Sequence, residues 1–366
     1  MTRLPTIGVL LGDPSGIGPE LTAKLLSDPA SFEGANLLLI GDRNVLKHGE
    51  TIARKTVELH PVDAIESATF VPGRASFFEV KSLTEAEIEP AKVTHASGRY
   101  AFGMLGLAAK AAIAGHLDGI VFAPLNKAAM RLGGLEHEDE QRYLQHVFGV
   151  GDFVCEFNVT GALWTSRVTS HIPLREVADA ITHDGVCNAV EIIDRSLKAA
   201  GVSRPRIGVA ALNPHSGDSG TIGREEIEVI APAVETMKAR GVEVRGPLPS
   251  DTVFVAATKG AFDAVVSMYH DQGQIAMKLI GFDGGVTVLG GLPVPFTTCA
   301  SGTAFDIVGQ GIASVAGLKN ALEINKRMAA SGLLAAQSAA GASAGASASA
   351  GGGGRAATNA ENVVRS

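Results

Sequence analysis

The chain has 366 residues, of which 46% are hydrophobic, and its formal net charge is −7 at pH 7. This length and composition predict a folded globular protein with a sizeable core. The negative charge and the lack of any basic stretch exclude a typical nucleic-acid binder. No apolar run approaches the roughly 20 residues of a membrane span. Three scattered cysteines without a CxxC pair favour a reducing cytoplasm over a disulfide framework.

Strand, turn and helix follow one another along the chain, which predicts an α/β fold with a parallel sheet. The first strand begins at residue 6 and leads through the glycine-rich loop 12–20 into a helix. Further strands are predicted at 36–40, 119–123, 162–168, 207–212 and 264–268, and helices at 99–114 and 224–240. From residue 331 a Gly/Ala/Ser-rich tract predicts a flexible tail, because it cannot bury enough apolar surface to offset its ordering entropy.

Three histidines each follow a predicted buried strand: His171, His215 and His270. A parallel sheet brings the carboxyl ends of its strands to one edge, where open α/β sheets bind ligands. Three imidazoles at that edge predict a divalent metal site, and an open coordination position would make the ion a Lewis acid. The spacing alone is equally compatible with three unrelated loop histidines.

A glycine-rich loop follows the strand at 207–212 and contains Gly217, Gly220 and Gly223, with Glu225 just behind. Bare backbone amides before a helix can bind the pyrophosphate of a dinucleotide. The loop is neither GxGxxG nor a Walker sequence, and its glycines could serve only for positive φ. No acidic residue at the usual spacing is available to separate NAD from NADP.

Lys278 is an isolated cation eight residues after His270, in a position that suits a carboxylate or phosphate partner. A surface lysine with a buried stem is the alternative. Asp251 and Asp271 could orient a ligand histidine or complete the coordination of the metal. Asp251 could equally be a helix N-cap.

Together these motifs resemble those of the 4-hydroxythreonine-4-phosphate dehydrogenase (PdxA) family over residues 5–330: GDPSGIGPE, APLNK, SHIPLREVADAIT, LNPHSGDSGTIGREE, GPLPSDTVF, MYHDQG and GTAFDIVGQG. The resemblance implies a two-lobed fold similar to isocitrate and isopropylmalate dehydrogenases, with mostly parallel sheets and a central cleft. Lobe one would comprise residues 1–128 plus 296–330, and lobe two, with the metal histidines, residues 129–295. It also implies a homodimer with the active site at the interface.

The same resemblance implies a chemistry that uses NAD or NADP and a divalent metal, with zinc, magnesium, manganese and cobalt all possible. His171, His215 and His270 would be the metal ligands, one of them reaching across the dimer. His137 and Lys278 would contact the substrate. The reaction would oxidise the hydroxyl group β to a carboxylate, and the β-keto acid could then lose carbon dioxide.

Several positions depart from the family pattern. Glu138 replaces a phosphate-binding threonine, Thr287 replaces an asparagine, and Phe296, Ala300 and Ser301 replace an arginine, an aspartate and a histidine. A buried phosphate without its cations is costly, so these changes predict a paralogue for a hydroxy acid without phosphate, with Glu138, Thr287 and Phe296 beside the substrate. The alternatives are the true family activity, a cis-dihydrodiol dicarboxylate dehydrogenase, and a non-catalytic cofactor-binding protein.

Overall fold

The computed structural model describes residues 3–281 and 283–336 as a layered α/β protein. Its strands, in chain order, are β1 Thr6–Leu10, β2 Asn36–Gly41, β3 Leu59–Val62, β4 Ala75–Glu79, β5 Gly119–Phe122, β6 Cys155–Thr160, β7 Leu163–Arg167, β8 Ile207–Ala210, β9 Val244–Leu248, β10 Ala264–Ser267, β11 Val286–Gly290 and β12 Phe296–Cys299. The α-helices are α1 Gly18–Leu26, α2 Arg43–Ala53, α3 His95–Ile113, α4 Lys127–Leu132, α5 Glu140–Val147, α6 Val177–Ala180, α7 His183–Ala199, α8 Ala231–Ala239, α9 Ser250–Thr258, α10 His270–Ile280 and α11 Ala316–Ser331.

All the strands join one sheet in the order β3-β4-β2-β1-β5-β12-β11-β6-β7-β10-β8-β9. Most neighbours are parallel, whereas β11 is antiparallel to both β12 and β6, and β6 is antiparallel to β7. The expected α/β class with a mostly parallel sheet is therefore confirmed. The strands of ranges 1–128 and 296–330 form one half of the order and those of 129–295 the other. The sheet runs on between them, and the division into two lobes stays a prediction.

The strand sequences show which faces are covered. Every residue of β1, β5, β8 and β10 is buried, as expected for parallel strands with helices on both faces. In β6 the pattern alternates, so Cys155, Phe157 and Val159 are buried while the intervening polar residues are half-buried. This period of two gives β6 one core face and one face that water or a ligand can reach.

The expected elements at 36–40, 119–123 and 99–114 correspond to β2, β5 and α3. The expected helix 224–240 is not a single α-helix, because a π-helical segment, Glu226–Ile230, precedes α8. The strands β3, β4, β6, β9, β11 and β12 were not predicted from the sequence. The expected tail from residue 331 overlaps the last residue of α11 and helical residues 333–336, and its remainder, 337–366, lies outside the described residues.

The main core lies on both faces of the sheet, and its largest fully buried side chains include Phe122, Phe157 and Phe296. A smaller apolar cluster lies between β8, β10, α9 and α10, with Phe254 and Met277 among its members. It seats α10 against the sheet beside β6. Within the described residues, no helix combines the length and hydropathy that crossing a membrane requires.

Candidate active site

The three strands that precede the histidines are direct neighbours in the sheet. β10 lies between β7 and β8 and is parallel to both, so the three chain segments leave the sheet at the same edge. The rings of His171 and His270 come together, with centroids 5.5 Å apart. His215 lies in a turn of left-handed residues, with φ of 56°. The sheet therefore pairs two of the three imidazoles within one chain.

Two acids stand beside His171. Among the described residues, Glu138, Asp139 and His171 form the group of three whose ligand atoms all lie within 4.8 Å of one another, whereas the three histidines do not. Glu138 Oε1 lies 3.4 Å from His171 Nδ1. Imidazole nitrogens with carboxylate oxygens are a donor set that zinc, manganese and cobalt accept. The residues at this edge thus fit a divalent cation.

Asp139 also serves the local fold. It is the N-cap of α5, where its carboxylate accepts a hydrogen bond from the Arg142 backbone amide at 2.9 Å, and its other oxygen lies 3.6 Å from Lys127 Nζ. Burial acts to lower the pKa of Lys127, but the carboxylates of Glu140, Asp139 and Glu156 outweigh it and raise that pKa. Burial raises the pKa of Glu140. Lys127 therefore stays a cation that offsets this acidic edge.

Asp271 and Asp251 have different surroundings. Asp271 Oδ1 lies 2.7 Å from His270 Nδ1, a contact that orients the ring and leaves Nε2 as the nitrogen for a ligand. Asp251 is exposed in the first turn of α9, whose N-cap position is occupied by Pro249. The structure brings Asp271 to the histidines and leaves Asp251 on the surface, away from the lining of the cavity described next.

A cavity of about 230 Å³ lies between α10 and the strands β6 and β11. His270, Gln274 and Lys278 are spaced i, i+4, i+8 on α10 and line one wall. Its lining is Glu156, Asn158, Val159, Thr160, His270, Gln274, Met277, Lys278, Gly281, Gly285, Val286, Thr287 and Ala300. The cavity thus collects one expected metal ligand, His270, and two residues expected at the substrate, Lys278 and Thr287.

A second, smaller cavity of about 100 Å³ adjoins the first at Glu156 and is lined by Glu138, His171 and Arg167. Arg167, with 6% of its side chain exposed, donates from Nη2 to Glu156 Oε2 at 3.1 Å. Its Nε donates to Ser170 Oγ at 2.6 Å. A buried cation is thus neutralised at the edge where the histidines lie.

Two expected substrate contacts are elsewhere. Phe296 has no exposed surface and packs edge-on against Phe148 with ring centroids 5.8 Å apart, so the expectation that it contacts substrate is corrected: it is a core residue of a central strand. His137 stacks against His146 at 5.1 Å and Tyr143 at 5.7 Å. Neither residue lines the cavities.

The glycine-rich loop has the backbone that its sequence indicates. Gly217, Gly220 and Gly223 all have positive φ, of 80°, 92° and 106°. A Cβ at Gly217 would lie 2.7 Å from Glu226 Oε2, and one at Gly223 would overlap the Asn213 side chain. These two glycines are explained by packing inside the loop.

The other face of the loop offers groups to a ligand. At Gly220 the nearest atoms are Arg224 Nη1 and Ile227 Cδ1, each 3.3 Å from the Cβ position. The exposed Arg224 guanidinium, which forms an ion pair with Glu228, is the cation that a pyrophosphate would meet on this side of the loop. Glu225 instead accepts a hydrogen bond from Asn213 Nδ2 at 2.7 Å, which lowers its pKa together with backbone hydrogen bonding.

Sequence reasoning missed several polar residues of the cavity walls, among them Glu156, Asn158, Arg167 and Gln274. Glu156 and Asn158 belong to the half-buried face of β6, and Arg167 ends β7. Gln274 Nε2 donates to Asn158 Oδ1 at 2.5 Å and ties α10 to β6. The polar alternation in CEFNVT was a usable signal for the strand, but nothing in the sequence indicated that α10 would cover it.

Known proteins resemble this chain in sequence and in architecture. The family model described as "Pyridoxal phosphate biosynthetic protein PdxA" matches residues 33–325. A Pseudomonas aeruginosa relative named "Putative 4-hydroxythreonine-4-phosphate dehydrogenase 2" is 46% identical over 327 residues, covering 89% of this chain and 97% of the relative. A Pectobacterium atrosepticum relative named "D-threonate 4-phosphate dehydrogenase" is 36% identical over 324 residues, which cover 88% and 99% of the two chains.

A solved structure of a 4-hydroxythreonine-4-phosphate dehydrogenase from Klebsiella pneumoniae superposes with a TM-score of 0.77. It is 36% identical in sequence and covers 89% of this chain and 99% of its own. Sequence and architecture therefore agree over nearly the whole described region, and the chain belongs to the family of the pyridoxal phosphate biosynthetic protein PdxA.

Proposed function

We propose that this chain is a metal- and NAD(P)-dependent dehydrogenase that oxidises the hydroxyl group of a 3-hydroxy acid bound between α10 and β6. The cavity of about 230 Å³ that unites His270, Lys278 and Thr287 carries this proposal. The names of the relatives, all dehydrogenases of hydroxy acid phosphates, support the reaction class. A pure binding protein would have no need for a histidine beside a lysine in one cavity, with the ring of a second histidine 5.5 Å from the first.

Each group has a role that follows from its position. Lys278 pairs with the substrate carboxylate, because its ammonium group is the cation on the cavity wall that α10 forms. His171, His270 and His215, with Glu138, would hold a divalent cation, which stabilises negative charge on an alcohol oxygen when bound. The Gly220 side of the loop, with Arg224, would hold the nicotinamide dinucleotide, which accepts the hydride. Asp271 keeps the His270 ring in place.

We further propose that the oxidised product loses carbon dioxide. Oxidation would remove a hydride from the substrate carbon, for which a bound nicotinamide would be the acceptor, and a proton from its hydroxyl group to water, and would leave a keto group β to the carboxylate. Breaking the bond to the carboxylate then releases carbon dioxide and leaves an enolate, which takes up one proton. Lys278, beside that carboxylate, also lies where it can deliver the proton.

The substrate that fits best has no phosphate. Glu138, in place of a phosphate-binding threonine, puts a carboxylate 3.4 Å from His171, and Glu156 adds a second at the join of the two cavities. A phosphate dianion would meet these charges without an arginine clamp, because Phe296 occupies that position in the core. The second candidate is the phosphorylated substrate of the relatives, which the 46% identity favours.

We also propose that two copies associate at this edge. Two exposed leucines flank the site: Leu279 on α10, with 83% of its surface exposed, and Leu174 just after His171, with 72%. Ile275, one turn before Leu279, is exposed as well. Such an apolar row is costly in water and is typical of an interface. A second copy of the chain would cover it and bring further groups to the cleft.

The test is to incubate the purified chain with a divalent metal, NAD or NADP, and paired hydroxy acids with and without phosphate, while following absorbance at 340 nm. We expect reduction with the unphosphorylated acids and released carbon dioxide in equal amount. Faster turnover of 4-hydroxythreonine 4-phosphate or D-threonate 4-phosphate would favour the second candidate. No reduction with any acid would refute the dehydrogenase proposal.

A further inference from the structure

Glu156 occupies a special place at this edge because it lines both cavities. One of its oxygens, Oε2, accepts the hydrogen bond from Arg167. The other, Oε1, has no hydrogen-bond partner among the residues that the structure describes, although the side chain is only 17% exposed. An ionised carboxylate can only accept hydrogen bonds. Glu156 therefore offers a single acceptor to whatever fills the cavity.

Arg167 holds this acceptor in place. Its guanidinium is fixed at three points, by Ser170 Oγ at 2.6 Å, Glu156 Oε2 at 3.1 Å and Asn158 Oδ1 at 3.4 Å. Five donors in a planar fork make arginine suited to such multiple contacts. A carboxylate anchored this way loses little side-chain entropy when a ligand binds. The pair is thus arranged as a preorganised recognition group.

The position of Glu156 relative to the reacting groups follows from two rows of residues of similar length, one on α10 and one on β6. His270 and Lys278 are eight residues apart on α10, or about 12 Å along the helix axis. Glu156 and Thr160 are four residues apart on β6, or about 13 Å. Thr160 Oγ1 donates to the Gly281 carbonyl at 3.2 Å, beyond the lysine end of α10.

The middle of the two elements is joined by the hydrogen bond of 2.5 Å between Gln274 and Asn158. The two rows therefore run in the same chain direction, with Glu156 beside the histidine end and Thr160 beyond the lysine end. Lys278 reaches back towards that histidine end, because helical side chains lean towards the N-terminus. A short hydroxy acid can then contact Lys278 and His270 at once, with Glu156 beside the part of the acid that is nearest His270.

We propose that Glu156, anchored by Arg167, is a specificity-determining residue of this site. It accepts a hydrogen bond from a hydroxyl or ammonium group on a carbon next to the carbon that is oxidised. The substrate class is thus a 3-hydroxy monocarboxylate that carries a neighbouring hydrogen-bond donor. This inference rests on the proposed function for the identity of the reacting carbon.

The experiment measures binding separately from turnover. Isothermal titration calorimetry on the full chain with manganese chloride would use four probes: threonate, 4-hydroxythreonine, 3,4-dihydroxybutanoate and 2,3-dihydroxybutanoate. The last two lack the donor on one or the other neighbouring carbon. Because a hydrogen bond to a charged group is strong, we expect one of them to bind about 10- to 100-fold more weakly than threonate.

Variants then assign the difference to Glu156. Glu156→Leu alone would strand a buried arginine, so the double variant Glu156→Leu/Arg167→Leu removes the pair together. We expect it to bind all four probes within about 3-fold of one another, as it has lost the acceptor. Glu156→Gln keeps a neutral acceptor and should weaken 4-hydroxythreonine more than threonate if the donor is an ammonium. Glu191→Gln, in the exposed Glu191–Arg240 pair, is the matched control.

Two results would overturn the inference. One is a wild-type protein that binds all four acids equally, or none of them. The other is a double variant, folded by its thermal unfolding curve, that keeps the wild-type preference. Absorbance at 340 nm after NAD or NADP is added to the same samples separates the two proposals, because selective binding without any reduction would refute the dehydrogenase function and leave the recognition by Glu156 standing.

Discussion

The carboxylate of Glu138 lies 3.4 Å from the imidazole Nδ1 of His171, at the edge of the sheet where His270 also lies. The acid that replaces a phosphate-binding residue thus stands against a predicted metal ligand. A threonine at this position would leave Asp139 as the remaining carboxylate near this imidazole. The replacement changes the charge of the site as well as its shape.

Glu138→Gln is expected to weaken manganese binding by about 10-fold or more, because a carboxylate beside a ligand histidine contributes charge to the coordination. Isothermal titration calorimetry with manganese chloride measures the change directly, and Glu191→Gln on the far surface pair serves as control. An unchanged affinity would place Glu138 outside the metal centre.

The contact between Asp271 and His270 gives a second prediction. Asp271→Asn should lower metal affinity about 10-fold, since the carboxylate 2.7 Å from Nδ1 orients the ring. The chain offers a matched control in His183 and Asp184, an adjacent pair on α7 with a contact of 3.0 Å between the same two kinds of atom, Nδ1 and Oδ1. Asp184→Asn should bind metal like the wild type. Equal behaviour of the two variants would contradict a role for Asp271.

Stability should fall between pH 4 and pH 6 because of Asp13. Burial raises the pKa of this carboxyl from 3.8 to about 6, although a hydrogen bond from the Ser15 backbone amide opposes the rise. In that window the folded state holds a proton that the unfolded state has released, so stability decreases as pH rises and levels off above 6. Asp13 contributes about 3 kcal/mol to this decline. Urea unfolding of Asp13→Asn from pH 4 to 7 should show a flatter profile, and an unchanged slope would refute the assignment.

Two glycines on one helix should respond in opposite directions to alanine. A Cβ at Gly98 of α3 would overlap the backbone carbonyl of Ala129, so Gly98→Ala should lower the free energy of unfolding by about 1–3 kcal/mol. Gly103, on the same helix, has no heavy atom within 4 Å of that position. Gly103→Ala should raise it by about 0.5–1 kcal/mol. Denaturant unfolding checks both, and destabilisation by Gly103→Ala would show that the helix surface is covered.

The proposed contact between copies is tested at Leu279. Leu279→Asp places a charge in the apolar row of α10, so the dimer dissociation constant should rise at least 10-fold. Sedimentation velocity over a dilution series measures it. Ile113→Asp changes another exposed apolar residue, on α3, and should leave association unchanged. A monomeric wild type, or a dimer unaffected by Leu279→Asp, would rule out this surface.

The sequence alone was informative where a pattern reports a local property. Apolar runs before His171, His215 and His270 indicated buried strands, and β7, β8 and β10 lie there. Glycines at 217, 220 and 223 indicated positive φ, which the backbone has. The remaining features depend on which strand lies next to which. The order β7-β10-β8, and hence the meeting of His171 with His270, is set by packing between distant segments.

The sequence alone thus determined the α/β class and the strand ends that carry the histidines, because hydrophobic periodicity and turn residues are local properties. It also determined the family, because sequence motifs identify it directly. Tertiary structure alone decided that Phe296 is core, that Glu138 contacts His171, and that Glu156 and Arg167 pair between two cavities. The physical reason is that a side chain's environment depends on the element packed over it. For β6 that element is α10, more than 100 residues away along the chain.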